Sequence, residues 1–161
     1  MARTIEAETG ETFAELVARV LPQDNKVAWS LSDGDTPPVY PQLTRLGPSL
    51  PLSTGDGGLW TSALAYRDFL DAQNRDELGI SQSTQSDYAL HSGKEVAYGW
   101  GVGIRSFRGR PLYMHGGGWT GCRARAVRCP DLELSAVVLT ASDADEMVVD
   151  LTDRLCELVI G

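Results

Sequence analysis

The sequence predicts an α+β fold in which an antiparallel sheet is flanked by helices, and three observations predict it. Apolar residues at helical spacing occupy the first part of the chain, segments with strand character fill residues 98–140, and an amphipathic stretch closes the chain. Between the first helix and the sheet lies a long segment rich in proline and glycine. The expected order is helix, long loop, helix, four antiparallel strands, helix, and no segment repeats another. Residues 1–95 form one predicted region, helical with the long loop, and residues 96–161 a second, of strands and the last helix.

Each element has its own reason. From Glu11 to Leu21, Phe13, Leu16, Val17 and Val20 fall on one side of a helix with acidic residues in its first turn, and Thr9 and Gly10 mark its start. Pro22, Pro37, Pro38, Pro41, Pro48 and Pro51 then break the chain as far as Gly58, too often for regular structure of any length. Thr61 or Ser62 is placed to cap a second helix running to about Asn74, with Leu64, Phe69 and Leu70 buried. Residues 75–95 are polar and predict loop with one short helix.

Tyr98, Trp100, Val102 and Ile104 alternate with Gly99, Gly101 and Gly103, the period of a strand. The bare glycine face implies that something packs closely on it, because glycine otherwise weakens a strand. Arg108-Gly109-Arg110 reads as a hairpin turn into a strand from Leu112 to Gly116. Arg123 to Cys129 reads as a third strand, ended by Pro130-Asp131. Leu134 to Thr140 is almost continuously apolar, as a strand covered on both faces would be. Ser142 or Asp143 is placed to cap a last helix with Met147, Val148, Leu151, Leu155, Leu158 and Val159 inward.

Composition narrows the function. At 161 residues and 42% hydrophobic, the chain is large enough for a core of its own. Fourteen basic residues against 22 acidic ones give a net charge of -8, opposite to the footprint of a nucleic-acid binder. No apolar run reaches the roughly 20 residues needed to span a bilayer. Glu6, Glu8, Glu11 and Glu15 stand where a signal peptide would be basic and then apolar, so no signal peptide is expected and the chain as written reads as cytoplasmic. Cys122, Cys129 and Cys156 cannot all pair within one chain and have no metal-binding spacing, and only His91 and His115 are present, so neither a zinc site nor any other cofactor is expected. The glycines from Gly116 to Gly121 lack the Lys-Ser/Thr of a phosphate loop. Arg123, Arg125 and Arg128 are expected on a solvated strand face.

Four pieces in order carry a resemblance: Ile5-Glu6-Ala7-Glu8-Thr9-Gly10 before a helix, Gly55-Asp56-Gly57-Gly58-Leu59-Trp60-Thr61-Ser62, Tyr98-Gly99-Trp100-Gly101, and His115-Gly116-Gly117-Gly118 with Gly121. Together they resemble the second half of the penicillin-recognising serine hydrolases, the superfamily of serine β-lactamases, DD-peptidases and related esterases. The resemblance implies a partial transpeptidase-like fold whose N-terminal part is missing. It also implies that His115 and Gly118 serve catalysis, Gly118 through its N–H as an oxyanion donor, and that Gly116, Gly117 and Tyr113 bind substrate. His115 is then expected in an open groove near Gly55 to Gly58.

The chain departs from that family in two motifs. The superfamily's lysine base follows its serine by three residues, and here the residues three before Lys26 and Lys94 are Gln23 and His91. No Tyr-x-Asn occurs either. The resemblance therefore implies a C-terminal fragment of an acyl-serine hydrolase, inactive alone, that handles a small-molecule or peptide substrate only when an N-terminal half completes it. A non-catalytic binding or regulatory module derived from the same fold is the alternative, and an unrelated α+β domain a second. In the fragment, Leu134 to Thr140 would lose the neighbour strand the family gives it and become an edge without proline or lysine, so self-association through this edge, a swapped element filling the gap, or poor solubility relieved by the N-terminal half is expected.

Overall fold

The computed structural model describes residues 2–19, 27–29, 57, 59–119 and 121–161. Its elements are α1 (Ala2–Thr9), α2 (Phe13–Ala18), β1 (Val27–Trp29), β2 (Leu59–Thr61), α3 (Ala63–Asn74), α4 (Ser81–Gln85), β3 (Tyr88–Ala89), β4 (Glu95–Val96), β5 (Gly103–Phe107), β6 (Arg110–Trp119), β7 (Cys122–Cys129), β8 (Leu134–Thr140) and α5 (Asp145–Ile160). The fold is α+β.

The central sheet is antiparallel with strand order β5-β6-β7-β8. Its connections follow from local sequence. Arg108 and Gly109 both take positive φ, 50° and 79°, the two-residue turn that suits the twist of a hairpin, and they join Phe107 to its partner Arg110. Gly121, at φ 77°, closes the β6–β7 hairpin, where Trp119 pairs with Cys122. A 3-10 turn over Pro130–Leu132 leads into β8.

One sheet face carries Leu112, Val127 and Cys129, which with Cys156 of α5 form a fully buried cluster; Phe107, Met114, Leu132, Leu134 and Ile160 pack around it. Each such side chain taken from water stabilises the fold by about 1.5–3 kcal/mol. The other face meets α3 and α4. The Asn74 side-chain amide donates to the Leu134 carbonyl at 3.0 Å and to Ser135 Oγ at 3.1 Å, which ties the end of α3 to β8. Strand β8 is thus covered by a helix on each face, as its apolar run predicts.

Several expectations are corrected. The helix read over Glu11 to Leu21 is α2, over Phe13–Ala18, with a further helix α1 ahead of it, and Val20 and Leu21 lie outside the described residues. Thr12 caps α2, accepting from the Glu15 amide while the Glu15 carboxylate accepts from the Thr12 amide at 2.8 Å. Residues Val27–Trp29, inside the stretch read as too broken for structure, pair with β2, Val27 opposite Thr61. The other residues of 22–58 lie outside the described residues, Gly57 excepted. Ser62 is the N-cap of α3, but Ala65, Leu70 and Gln73 are its buried residues and Leu64 is exposed. Residues 75–95 hold the short helix α4, as expected, and also the small hairpin β3–β4.

The strand read over Tyr98 to Ile104 begins only at Gly103, because Gly101 takes φ 74° and turns the chain. The expected close packing on its glycines holds at Gly99, where an added Cβ would lie 2.5 Å from the Thr84 carbonyl oxygen. Ala144, not Ser142 or Asp143, is the N-cap of α5; the Asp143 carboxylate instead accepts from the Gly121 amide at 2.9 Å. The inward residues of α5 are Val148, Thr152 and Cys156, while Met147, Leu151, Leu155, Leu158 and Val159 are exposed.

Candidate functional site

Strand β6 is the longest in the sheet, and its second half carries the expected site. Tyr113, His115 and Gly117 point to the face that α3 and α4 cover, while Leu112, Met114, Gly116 and Gly118 belong to the α5 face. His115 pairs with Ala126, and residues 115–118 are all exposed. Added Cβ atoms at Gly116 and Gly117 would meet nothing closer than 3.6 Å and 4.0 Å, on Ala124 in both cases. A ligand therefore finds bare backbone there.

Hydrogen-bond parity along β6 is fixed at both ends. The hairpin pairs Phe107–Arg110 and Trp119–Cys122 are the closing, hydrogen-bonded pairs of their turns. Even-numbered residues of β6 accordingly bond toward β5 and odd-numbered ones toward β7. Strand β5 reaches only as far as Gly103, the partner of Met114. The N–H and C=O groups of Gly116 and Gly118 thus point to a side where no described strand lies. Two aligned amide donors about 7 Å apart, beside a histidine, form an edge that can hold an extended peptide or the oxygen of an acyl group.

The neighbouring strand β7 supplies three arginines, and the reading of them as a solvated face is overturned. Arg123 pairs with Asp143 at 3.0 Å and Asp145 at 3.5 Å, and Arg125 lies 3.9 Å from Asp153, whose carboxylate also accepts from Arg105 at 2.7 Å. These groups lie on the α5 face. Arg128 is on the opposite face and is 2% exposed. Its guanidinium sits 4.9 Å from the Tyr113 ring centre and donates to Thr84 Oγ1 at 3.1 Å, with Nη1 left without a partner. Burial holds Arg128 below the ordinary arginine range, and burial pushes the Tyr113 phenol up, the guanidinium opposing it. Tyr113 itself, expected to touch substrate, is 8% exposed beneath that cation. Residues 55–58, expected to border the groove, are described only at Gly57.

Sequence reasoning missed Arg128 and an aromatic group near the open edge. The even number of Arg128 on an alternating strand already separates it from Arg123 and Arg125, and that signal was available. Tyr88 and Trp100 have ring centres 6.4 Å apart, Trp100 and Tyr98 are exposed, and Tyr98 bridges Gly103 at the point where β5 begins. Among the described residues no group of His, Cys, Asp or Glu is arranged to hold a metal ion. No helix of the described residues is long and apolar enough to cross a membrane. Cys122, Cys129 and Cys156 are free thiols, and burial pushes all three up.

No family model matches the chain. It is similar to D-aminopeptidases: 28% identical to those of Brucella ovis and Brucella suis over 89% of its length, and 29% identical to that of Brucella anthropi over 86%. The chain spans about a third of the length of these curated relatives, 31% of the first two and 29% of the third.

Proposed function

We propose that this chain is the C-terminal portion of a serine hydrolase that cleaves its substrate through an acyl-serine intermediate, with a D-amino-acid amide as the substrate class that the similarity to D-aminopeptidases favours. In this reading the fold is a partial transpeptidase-like one, residues 1–95 belong to its helical region and residues 96–161 to its sheet. His115 assists binding or proton transfer, Gly116 and Gly117 let substrate backbone approach, and the Gly118 N–H stabilises the oxyanion. The observation that carries the proposal is the edge at Gly116 and Gly118, which no described strand covers, beside an exposed His115. A preorganised amide aimed at a developing oxyanion accelerates acyl transfer by about 10²–10³-fold.

The nucleophile and its lysine base come, in this reading, from a segment that these 161 residues do not contain. The chain alone is therefore expected to show no turnover of D-alanine p-nitroanilide and no labelling by a fluorophosphonate. Co-expression with the portion of a D-aminopeptidase that bears Ser-x-x-Lys and Tyr-x-Asn is expected to produce both. Steady turnover by the chain alone would refute the assignment, as would a folded complex that neither turns over nor binds a boronic acid.

A further inference from the structure

The Gly118 N–H is held from the α5 side of the sheet, and we propose that Asp143 is the positioning residue that holds it; the use of that N–H as an oxyanion donor rests on the hydrolase reading. Trp119–Cys122 is the hydrogen-bonded pair that closes the β6–β7 turn, so the next pair, Gly118–Arg123, is of the non-hydrogen-bonded kind in which facing side chains come closest. Gly118 has no side chain, and Arg123 fills the space. Its Cδ, Nε and Cζ lie 3.3, 3.4 and 3.6 Å from where a Gly118 Cβ would stand. The guanidinium therefore rests against the Gly118 backbone, on the face opposite to His115.

Asp143 fixes that guanidinium and the turn behind it together. One carboxylate oxygen, Oδ1, lies 3.0 Å from Arg123 Nη1 and accepts from the Gly121 amide at 2.9 Å. Asp145 adds a contact to Nε at 3.5 Å, and Nη1 also donates to the Cys122 carbonyl at 2.8 Å. Gly121 is the positive-φ residue of the turn, so the turn and the group packed on Gly118 are tied to the same oxygen. The first turn of α5 goes without that carboxylate: Ala144 stands at its N-cap with no side-chain hydrogen bond, although the aspartate beside it is of a type that suits the role.

The arrangement does little for stability. Asp143 is 60% exposed, and water screens an ion pair at such a site. Its effect is on direction. Gly117 and Trp119 bond to β7, whereas Gly118, between them, has no bond to that strand, and no described strand covers its other side. At Gly116 and Gly117 an added Cβ would meet nothing closer than 3.6 Å, so the Gly118 position is the one of the three that carries a close filler. The clamped guanidinium thus removes, on one face, the backbone freedom that a run of glycines leaves. A donor that stays aimed while charge develops is what preorganised stabilisation of an oxyanion requires.

The 15N relaxation of the full chain tests the clamp, and turnover of the completed enzyme tests its use. Asp143→Ala is expected to lower the order parameters of the Gly118 and Gly121 amides from about 0.85, the rigid-backbone value, to below about 0.6, while the urea midpoint and circular dichroism stay those of the parent. With the portion bearing Ser-x-x-Lys co-expressed, kcat for D-alanine p-nitroanilide should fall about tenfold or more at a KM within about threefold, because a misaimed oxyanion donor is missed only in the transition state. Asp143→Asn, which keeps an oxygen for the Gly121 amide, should fall between the two. Asp150→Ala, which breaks the exposed Asp150–Arg154 pair on the same helix, should change neither readout. Gly118 and Gly121 amides as ordered in Asp143→Ala as in the parent overturn the proposal. So does a kcat within about twofold of the parent's, or a loss of order throughout the sheet with a lower urea midpoint, which marks a merely structural role. A completed parent without turnover refutes the hydrolase reading, and the order parameters still decide the clamp.

Discussion

Alanine at position 99 would put a methyl group where the backbone of Thr84 already sits. The added Cβ would lie 2.5 Å from the Thr84 carbonyl oxygen and 2.8 Å from its carbon, whereas ordinary contact begins at 3.4 Å. Both atoms are main chain at the end of α4, so no side chain can swing aside. Relief needs a movement of about 0.9 Å, the difference between the ordinary contact and the 2.5 Å approach. That movement pulls on the Trp100 amide, which donates to the Ser83 carbonyl at 3.1 Å, and on the Thr84 hydroxyl that receives Arg128 at 3.1 Å. Overpacking costs about 1–3 kcal/mol and one weakened hydrogen bond about 0.5–1.5, so Gly99→Ala is expected to destabilise the fold by about 2–4 kcal/mol. Urea unfolding followed by tryptophan fluorescence measures it as a lower midpoint at unchanged slope. Gly117→Ala is the control, because its Cβ would meet only the Ala124 methyl at 4.0 Å, and it should stay within about 0.5 kcal/mol of the parent. A Gly99→Ala variant that loses less than about 0.5 kcal/mol, or a Gly117→Ala variant that loses as much as Gly99→Ala, would refute the reasoning.

Arg128 buries a cation against Tyr113 with one nitrogen unpaired, so Arg128→Met, which fills similar space without the charge, is expected to leave stability within about 1 kcal/mol or raise it. Arg128→Ala should lose about 2–4 kcal/mol through the cavity it leaves, and thermal unfolding of the two variants separates charge from volume. At the other end of the chain, the Thr12 hydroxyl and the Thr12 amide hold the Glu15 carboxyl below its ordinary value of 4.5. A depressed carboxyl stabilises above its unfolded value and loses that contribution as pH falls through the folded one. The 13Cα shifts of Phe13–Ala18 should therefore move toward coil as the pH falls below 4.5 and through the lowered folded value, and Thr12→Ala should show that coil tendency already at neutral pH.

The parts of this fold that obey a short-range rule were legible in the sequence. The apolar run at Leu134–Thr140, the turn residues Arg108-Gly109 and the cap at Ser62 each act through neighbours a few positions away, and the structure places β8, the β5–β6 hairpin and α3 on those residues. The alternation at Tyr98 to Ile104 misled because a strand period in side chains says nothing of the backbone at Gly101, whose positive φ ends the pairing. Of the candidate site, the sequence located His115 and the glycines beside it. Their open edge, among the described residues, is a consequence of where β5 stops, and β5 stops where the chain turns at Gly101, which a side-chain period does not reveal.

The sequence by itself determined the class of fold, the segments that become its central strands, and the absence from these residues of a serine–lysine pair. Only the tertiary structure decided which faces are used. The apolar arc of α5 is too wide to name a single inward stripe, and in the structure its rotation is fixed by the packing of one face on the sheet, with Asp153 reaching Arg105 and Arg125 beside it. That rotation buries Val148, Thr152 and Cys156 and turns Leu151 and Leu158 outward. The burial of Arg128 was likewise decided by what covers its strand, since a residue's distance from water depends on elements far away in the chain. Periodicity reports only that two faces differ; contact between distant elements determines which of them meets water.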